Sequence, residues 1–281
     1  VIRAAGDGEV IFDGDGNWTL FNVQAGNYTY FEGLTFRNTQ VAIEAGQKGI
    51  AGSQGITVKR CRFENIGEGI HTDWAGSRNF YIADNVFIGR QNPEKLSPWS
   101  LGMGGSAYAP RWRAAGVTRE DTRFKSQYAV KVYGSGNVIA YNTVRHFHDG
   151  IDLATYGIPQ GWPDTPRDRM PVANDIYNND ISNVHDDCIE ADGSLYNARV
   201  LRNKCVNAAG TIISTQGMAG GPVYIVRNVG YHVPGNFASL KTSGSPGLLV
   251  YNNTFVSQVR GATSRSDFRN NLILAEFPEE S

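Results

Sequence analysis

Residues 176–205, with the sequence IYNNDISNVHDDCIEADGSLYNARVLRNKC, span one complete period of a repeat. A short apolar strand ends at Asn179, a turn and a second short strand follow, and the pattern returns at Asn203. It recurs along the chain at Asn38, Asn65, Asn85, Asn142, Asn179, Asn203, Asn228, Asn253 and Asn271. Periods of about 20 to 30 residues built from short β-branched and aromatic runs are typical of solenoids, whose coils bury their apolar faces against each other. The repeat predicts an all-β fold, a single-stranded right-handed parallel β-helix of about nine to ten coils.

Two residue types are interpreted as structural. The repeated asparagines suit turns, because Asn tolerates the left-handed backbone conformation and its amide can stack on the amide of the next coil. The three cysteines, Cys61, Cys188 and Cys205, form neither an even set nor a metal-binding spacing. We therefore expect all three to be small buried residues, and we read no cellular compartment from them.

The continuity of the repeat predicts that residues 1–281 form a single β-helix domain. Two long segments interrupt it, at about 91–126 and 156–171. Insertions of this length commonly form walls or lids of functional sites. The chain begins directly on a strand pattern without a signal peptide, and we expect an N-terminal cap to precede Val1.

Composition excludes several classes of partner. The formal net charge is −1, so the chain lacks the basic footprint expected of a nucleic-acid-binding protein. The sequence contains no run of 18 uncharged apolar residues of the kind that crosses a membrane. We therefore expect neither nucleic acid nor membrane as a partner.

Aligning the coils predicts two polar columns on one outer face. An apolar residue at the centre of each aligned strand points inward, so the next residue points outward. The outward residues form the first column: Glu44, His71, Lys131, Asp152, Glu190, Ser214 and Lys241. The second column lies beside it at the start of each strand: Val41, Glu68, Tyr128, Asp149, Asp187, Thr211 and Ala238.

Acidic residues concentrate in two successive coils, HDGID at 148–152 and HDDCIE at 185–190. Neighbouring rungs of a parallel sheet lie about 4.8 Å apart, so five carboxyl groups are brought close together. Such groups cannot all ionise easily, and we expect at least one pKa to rise. Separated pKa values provide both an acid and a base from one residue type. We predict that this cluster is catalytic and contains Asp149, Asp152, Asp186, Asp187 and Glu190.

These two phrases resemble the polygalacturonase-type β-helix glycoside hydrolases, which carry Asn-Thr-Asp-Gly-φ-Asp followed one coil later by Asp-Asp-Cys-φ-Ala. The resemblance implies that Asp186 is the general acid and that Asp149 and Asp187 activate the attacking water. It also implies that Lys241, in the stretch SLKT at 239–242, binds a substrate carboxylate. On this reading no cofactor is required.

The chain departs from that family at three places. Phe147-His148 stands where the family has Asn-Thr, Ser239 stands where it has Arg, and the stretch AAGTIIS at 208–214 lacks the His of its Gly-His-Gly phrase. Two other readings therefore stay open. One is a uronate polysaccharide lyase or C5-epimerase that uses Lys131, with Ca²⁺ held by Asp152 and Glu190. The other is a non-catalytic, adhesin-like glycan-binding solenoid.

The remaining candidates are expected to contact substrate. His148, His185 and Tyr156 could bind a sugar or carry protons. Aromatic and arginine side chains in the insertions suit stacking on sugar rings and binding of an acidic glycan; those selected are Trp112, Trp162, Arg113 and Arg169. We expect an acidic, uronate-containing polysaccharide as the partner. Because polymeric glycans are met outside the cell, an extracellular or periplasmic location follows as an expectation.

Overall fold

The computed structural model describes residues 1–46, 52–72, 76–90, 126–153, 171–218, 220–233 and 238–274. Within these ranges the regular structure consists of short β-strands, and each strand pairs in parallel with a strand one coil further along the chain. The strands form three faces, called sheets A, B and C here, around a common interior. The predicted parallel β-helix is confirmed.

Sheet A is a continuous ladder of ten strands. In order, they are β1 (Ile2–Arg3), β4 (Tyr30–Glu32), β6 (Thr57–Lys59), β8 (Tyr81–Ala83), β11 (Val138–Ala140), β14 (Asp175–Tyr177), β17 (Ala198–Leu201), β20 (Val223–Val226), β24 (Leu248–Tyr251) and β28 (Asp267–Arg269). Ten stacked rungs agree with the coil number that the repeat predicts.

Sheet B follows sheet A in each coil. Its strands are β2 (Val10–Asp13), β5 (Leu34–Glu44), β7 (Arg62–His71), β9 (Val86–Gly89), β12 (Thr143–Arg145), β15 (Asp180–Val184), β18 (Lys204–Ala208), β21 (Val229–Tyr231), β25 (Thr254–Phe255) and β29 (Leu272–Ile273). The long strands β5 and β7 continue into sheet C and join the two faces.

Sheet C carries the predicted polar columns. Besides the second halves of β5 and β7, it contains β3 (Thr19–Asn22), β10 (Tyr128–Lys131), β13 (Asp149–Asp152), β16 (Ile189–Glu190), β19 (Ile213–Gln216), β22 (Ala238–Ser243) and β26 (Gln258–Arg260). A short pair, β23 (Ser245–Pro246) and β27 (Thr263–Ser264), lies apart from the three faces.

The interior is a stack of apolar side chains, one layer per coil. Phe36, Phe63 and Phe87 occupy successive rungs of sheet B, and their rings stack with centroids 4.9 and 4.4 Å apart. Burying each such side chain stabilises the fold by about 1.5–3 kcal/mol. The positions of sheet C predicted to point inward are buried: Ile43, Ile70, Val130, Ile151, Ile189, Ile213 and Leu240.

The repeated asparagines fall into two columns, and this corrects the single column expected from the sequence. Seven of them form one ladder, in which each backbone and side-chain N–H donates to the Oδ1 of the next member at 2.9–3.1 Å: Asn85, Asn142, Asn179, Asn203, Asn228, Asn253 and Asn271. The left-handed residue is the one before each ladder Asn, for example Asp84 or Tyr141. Asn38 and Asn65 are themselves left-handed and stack on each other at a different turn.

All three cysteines are buried, as expected, but two of them are paired, which the sequence reasoning did not predict. Cys188 and Cys205 form a disulfide with their Cα atoms 6.3 Å apart, whereas Cys61 is a buried free thiol. Both disulfide residues lie inside the solenoid, where adjacent faces bring them together. The odd number of cysteines gave no indication of this pair. The third cysteine, Cys61, occupies a position of the asparagine ladder, where its N–H donates to Asn85 Oδ1 at 2.9 Å.

Across the portion of the chain that the structure describes, no helix has the length and apolar character needed to cross a membrane.

Candidate functional site

The first predicted column is confirmed in register. Successive strands of sheet C pair in the order Glu44, His71, Lys131, Asp152, Glu190, Ser214 and Lys241. Its side chains are less exposed than an open groove would allow, because Glu44, Lys131, Asp152 and Ser214 are buried. The buried charged members, Glu44, Lys131 and Asp152, must therefore be paired or neutralised.

A compact acidic cluster forms where β13 and the turn before β16 meet. The Nδ1 of His148 lies 3.0 Å from Asp149 Oδ2, and the Asp187 backbone N–H donates to Asp149 Oδ1 at 3.2 Å. The Nζ of Lys241 lies 3.5 Å from Asp187 Oδ2. One donor atom each of His148, Asp149 and Asp186 lies within 4.8 Å of the others. The structure thus brings together the three carboxyl groups selected by the resemblance.

Backbone hydrogen bonds between adjacent coils fix this cluster. The Asp186 N–H donates to the His148 carbonyl at 2.7 Å, and the Gly150 N–H donates to the Asp187 carbonyl at 3.0 Å. The Asp186 carbonyl in turn accepts from the Thr211 N–H of the following coil at 3.1 Å. The acidic residues are therefore held by the same ladder that builds the fold.

Gly210 is a contributor that the sequence reasoning missed. A Cβ atom at this position would lie 2.6 Å from Asp186 Oδ1 and 2.8 Å from the Asp186 carbonyl oxygen. A larger residue at position 210 would force the Asp186 carboxyl group to move. The signal lies in the stretch AAGTIIS, where a glycine stands one coil after the acidic pair, next to the register position of Asp187.

The expected rise in carboxyl pKa values is confirmed. Burial and then the charge of Asp149 raise the pKa of Asp186, although His148 and Lys241 act in the opposite direction. Burial and then the charge of Asp186 raise the pKa of Asp187 well above its ordinary value. Burial, followed by repulsion from Asp152, raises the pKa of Glu190 to about 11. Glu190 therefore carries a proton at neutral pH, and the raised pKa values of Asp186 and Asp187 favour the protonated form that can donate.

Asp192 extends the cluster and was not selected from the sequence. Its Oδ1 accepts hydrogen bonds from Ser214 Oγ at 2.7 Å and from the Gln216 N–H at 2.6 Å. Burial raises the pKa of this carboxyl group as well. Asp192 lies two residues after Glu190, so strand alternation could have indicated that both side chains share a face.

Lys131 and Asp152 form a buried ion pair, with Nζ 2.7 Å from Oδ2. The ammonium group also lies 4.1 Å from the ring centroid of Tyr128. Burial alone would lower the pKa of Lys131, but the charge of Asp152 outweighs it and the pKa rises. Lys131 therefore keeps its proton, which disfavours it as the base of an elimination reaction.

A second charged group lies further towards the N-terminus of the same column. The Nδ1 of His71 is 3.2 Å from Glu68 Oε2 and 3.7 Å from Glu44 Oε1. Burial opposes protonation of His71, but both carboxylates outweigh it and raise the pKa of His71. The sequence placed these residues in the columns without assigning them a role.

The described residues differ in their suitability for a metal ion. Asp152, one of the two predicted Ca²⁺ ligands, is paired with the Lys131 ammonium group, which a cation there would have to displace. One donor atom each of His148, Asp149 and Asp186 lies within 4.8 Å of the others, so these three residues are a second candidate ligand set.

Five predicted substrate contacts lie outside the described residues: Trp112, Arg113, Tyr156, Trp162 and Arg169. Most of both insertions, 91–126 and 156–171, lies there too. These assignments stay predictions. His185 is described, and it is buried with its ring centroid 5.1 Å from that of His148.

Comparison with known proteins supports the fold. No protein-family model and no curated protein matches the chain. Among solved structures, a mutant tailspike protein of E. coli bacteriophage HK620 in complex with a pentasaccharide is similar, with a TM-score of 0.53 and 13% sequence identity. The match covers 91% of this chain but only 44% of the tailspike chain. Together with the parallel ladders described above, this similarity shows that the chain is a parallel β-helix protein.

Proposed function

We propose that this chain is a carbohydrate-active enzyme that cleaves an acidic, uronate-containing polysaccharide by hydrolysis. The observation that carries the proposal is the meeting of Asp149, Asp186 and Asp187 on two adjacent rungs, where His148 Nδ1 and the Asp187 N–H contact the two oxygens of Asp149 and the pKa of Asp186 is raised. The similar tailspike protein was solved with a bound pentasaccharide, which supports a glycan as the class of ligand.

Asp186 and Asp149 lie in different surroundings and have different roles in the proposed hydrolysis. The raised pKa of Asp186 favours its protonated form, which donates the proton to the glycosidic oxygen as the bond to the leaving sugar breaks. Asp149 is held in place by the His148 imidazole at Oδ2 and by the Asp187 N–H at Oδ1. Asp149 accepts a proton from the attacking water, whose oxygen forms the new bond to the anomeric carbon. Asp187 is buried, and this burial, with the neighbouring charges of Asp186 and Asp149, raises its pKa.

Positively charged side chains next to the acidic cluster suit the binding of an anionic sugar. Lys241 is partly exposed and lies beside Asp187, and in register it neighbours Arg260 on the next rung. Two cationic side chains at this end of the column can bind a uronate carboxylate. An extracellular or periplasmic location goes with such a substrate.

An alternative is elimination or C5-epimerisation of a uronate residue at Lys131 and Asp152. The cationic character of Lys131 is the observation in its favour, because it could neutralise a substrate carboxylate. Asp152 already holds this ammonium group, so the site would have to break a buried ion pair first. The arrangement therefore favours hydrolysis.

The products distinguish these readings. Acidic polysaccharides such as polygalacturonate and alginate, and neutral galactan and glucan, are incubated with the protein and the fragments are weighed by mass spectrometry. Hydrolysis gives fragments that carry one added water, and Asp186→Asn abolishes them while binding persists. The control is Asp175→Asn, which breaks only a surface ion pair with Arg199.

Other outcomes contradict the proposal. Unsaturated fragments without added water would establish elimination. Unchanged turnover in Asp186→Asn would remove the acidic cluster from the reaction. Binding without any fragments would indicate a glycan-binding solenoid.

A further inference from the structure

We propose that His148 is a positioning residue of the acidic cluster, whose imidazole holds the Asp149 carboxylate in the orientation that accepts a proton. This role rests on the proposed hydrolysis. His148 lies in the turn that leads from β12 into β13. His148 contacts the proposed base, Asp149, directly, and it acts on the reacting atoms only through Asp149.

The contact with Asp149 is a directed one. The Nδ1 of His148 lies 3.0 Å from Asp149 Oδ2. The proposal requires that Nδ1 carries the hydrogen of this bond, because a carboxylate that is to take a proton from water can only accept. The Asp187 N–H occupies Oδ1 of the same carboxylate at 3.2 Å. With a donor on each oxygen, the Asp149 carboxylate cannot rotate without losing one of them.

The backbone of His148 is anchored to both neighbouring coils. Its N–H donates to the Ser126 carbonyl at 2.9 Å. Its carbonyl accepts from the Asp186 N–H at 2.7 Å and from the His185 N–H at 3.1 Å. The imidazole that holds the base is therefore tied to the residue that supplies the acid.

Packing limits the position of the imidazole ring. The ring of His185 lies against it, with centroids 5.1 Å apart and an interplanar angle of 65°. His185 is itself 2% exposed, so it cannot move aside. Rotation of the His148 ring away from Asp149 is opposed by this neighbour, which gives His185 a supporting role.

The hydrogen bond can be tested without any substrate. Imidazole ¹⁵N shifts are measured in the full chain near the highest pH at which it stays folded, and the His148 signal is identified by its loss in His148→Asn. We expect the singly protonated ring to keep its hydrogen on Nδ1. A ring that keeps it on Nε2 instead overturns the proposal.

Turnover provides the second readout. On the polysaccharide that the wild-type chain cleaves, His148→Leu is expected to lower kcat about 100-fold with little change in KM, because a small displacement of a catalytic group has effects of this size. His148→Asn retains an N–H donor, so it should recover part of the kcat that His148→Leu loses. The matched control is His232→Asn, since the Nδ1 of His232 is 3.0 Å from Asn207 Oδ1 away from the cluster.

The two proposals fail in different ways. Unchanged kcat in His148→Leu, in a chain that Asp149→Asn inactivates, overturns the positioning role alone. If Asp149→Asn and Asp186→Asn both turn over normally, the proposed hydrolysis fails, and the ¹⁵N measurement still decides whether His148 holds Asp149.

Discussion

The close approach of Gly210 to the general acid gives a sharp test of the site. Replacing Gly210 by alanine places a Cβ atom 2.6 Å from Asp186 Oδ1 and 2.8 Å from its carbonyl oxygen. The lower end of ordinary contact is 3.4 Å, so the Asp186 carboxyl group must move by about 0.8 Å. The carbonyl is anchored by the Thr211 N–H, which limits how far the backbone can share this shift.

The expected loss follows from that displacement. A misplacement of about 1 Å at a catalytic group lowers the rate about 100-fold, whereas overpacking of one methyl group destabilises a fold by about 1–3 kcal/mol. Gly210→Ala should therefore lower kcat by roughly two orders of magnitude while the chain stays folded.

Turnover is measured by release of reducing ends from the cleaved polysaccharide, and folding by thermal unfolding of the same preparation. Gly8→Ala is the matched control, because a Cβ atom at Gly8 meets nothing within 4 Å. Wild-type kcat in a folded Gly210→Ala chain would refute the placement of the acid at Asp186.

Three further predictions concern stability. Asn203→Ala removes a buried acceptor from the Asn179 N–H and should lower the free energy of unfolding by at least about 1–3 kcal/mol in urea titration, more than Asn271→Ala at the ladder end. Lys131→Met leaves Asp152 buried and unpaired, so it should destabilise the fold by about 3–5 kcal/mol, and adding Asp152→Leu should restore most of this. Glu190 has a folded-state pKa of about 11 and an ordinary value of 4.5, so between these values the folded chain binds a proton that the unfolded chain releases. The free energy of unfolding therefore falls as pH rises through this window. Urea titrations at pH 4 and pH 8 should show a smaller fall for Glu190→Gln than for the wild-type chain.

The fold and the register of the site could be predicted because they depend on local pattern. One inward apolar residue per strand fixes which neighbour points outward, and stacking of equal coils then fixes which residues are adjacent. The order from Glu44 to Lys241 follows from these two facts alone. The pairing of Asp152 with Glu190 and of Asp149 with Asp187 follows in the same way.

The remaining features depend on three-dimensional detail that the pattern does not contain. Burial of Lys131 and Asp152 decides that they neutralise each other, and a one-dimensional alignment shows only that they are neighbours. The Cys188–Cys205 disulfide crosses from one face to another, which a comparison within columns misses. The role of Gly210 depends on the direction of one carboxyl group, which no residue spacing records.

The most direct test of the central claim compares two leaving groups in Asp186→Asn. A general acid is needed when the leaving sugar is a poor leaving group, and it is dispensable when an aryl glycoside supplies a good one. Hydrolysis by Asp186 predicts that the variant loses turnover on the polysaccharide but keeps most of it on a nitrophenyl uronide of the same sugar. Equal loss on both substrates, or no loss on either, would contradict the account.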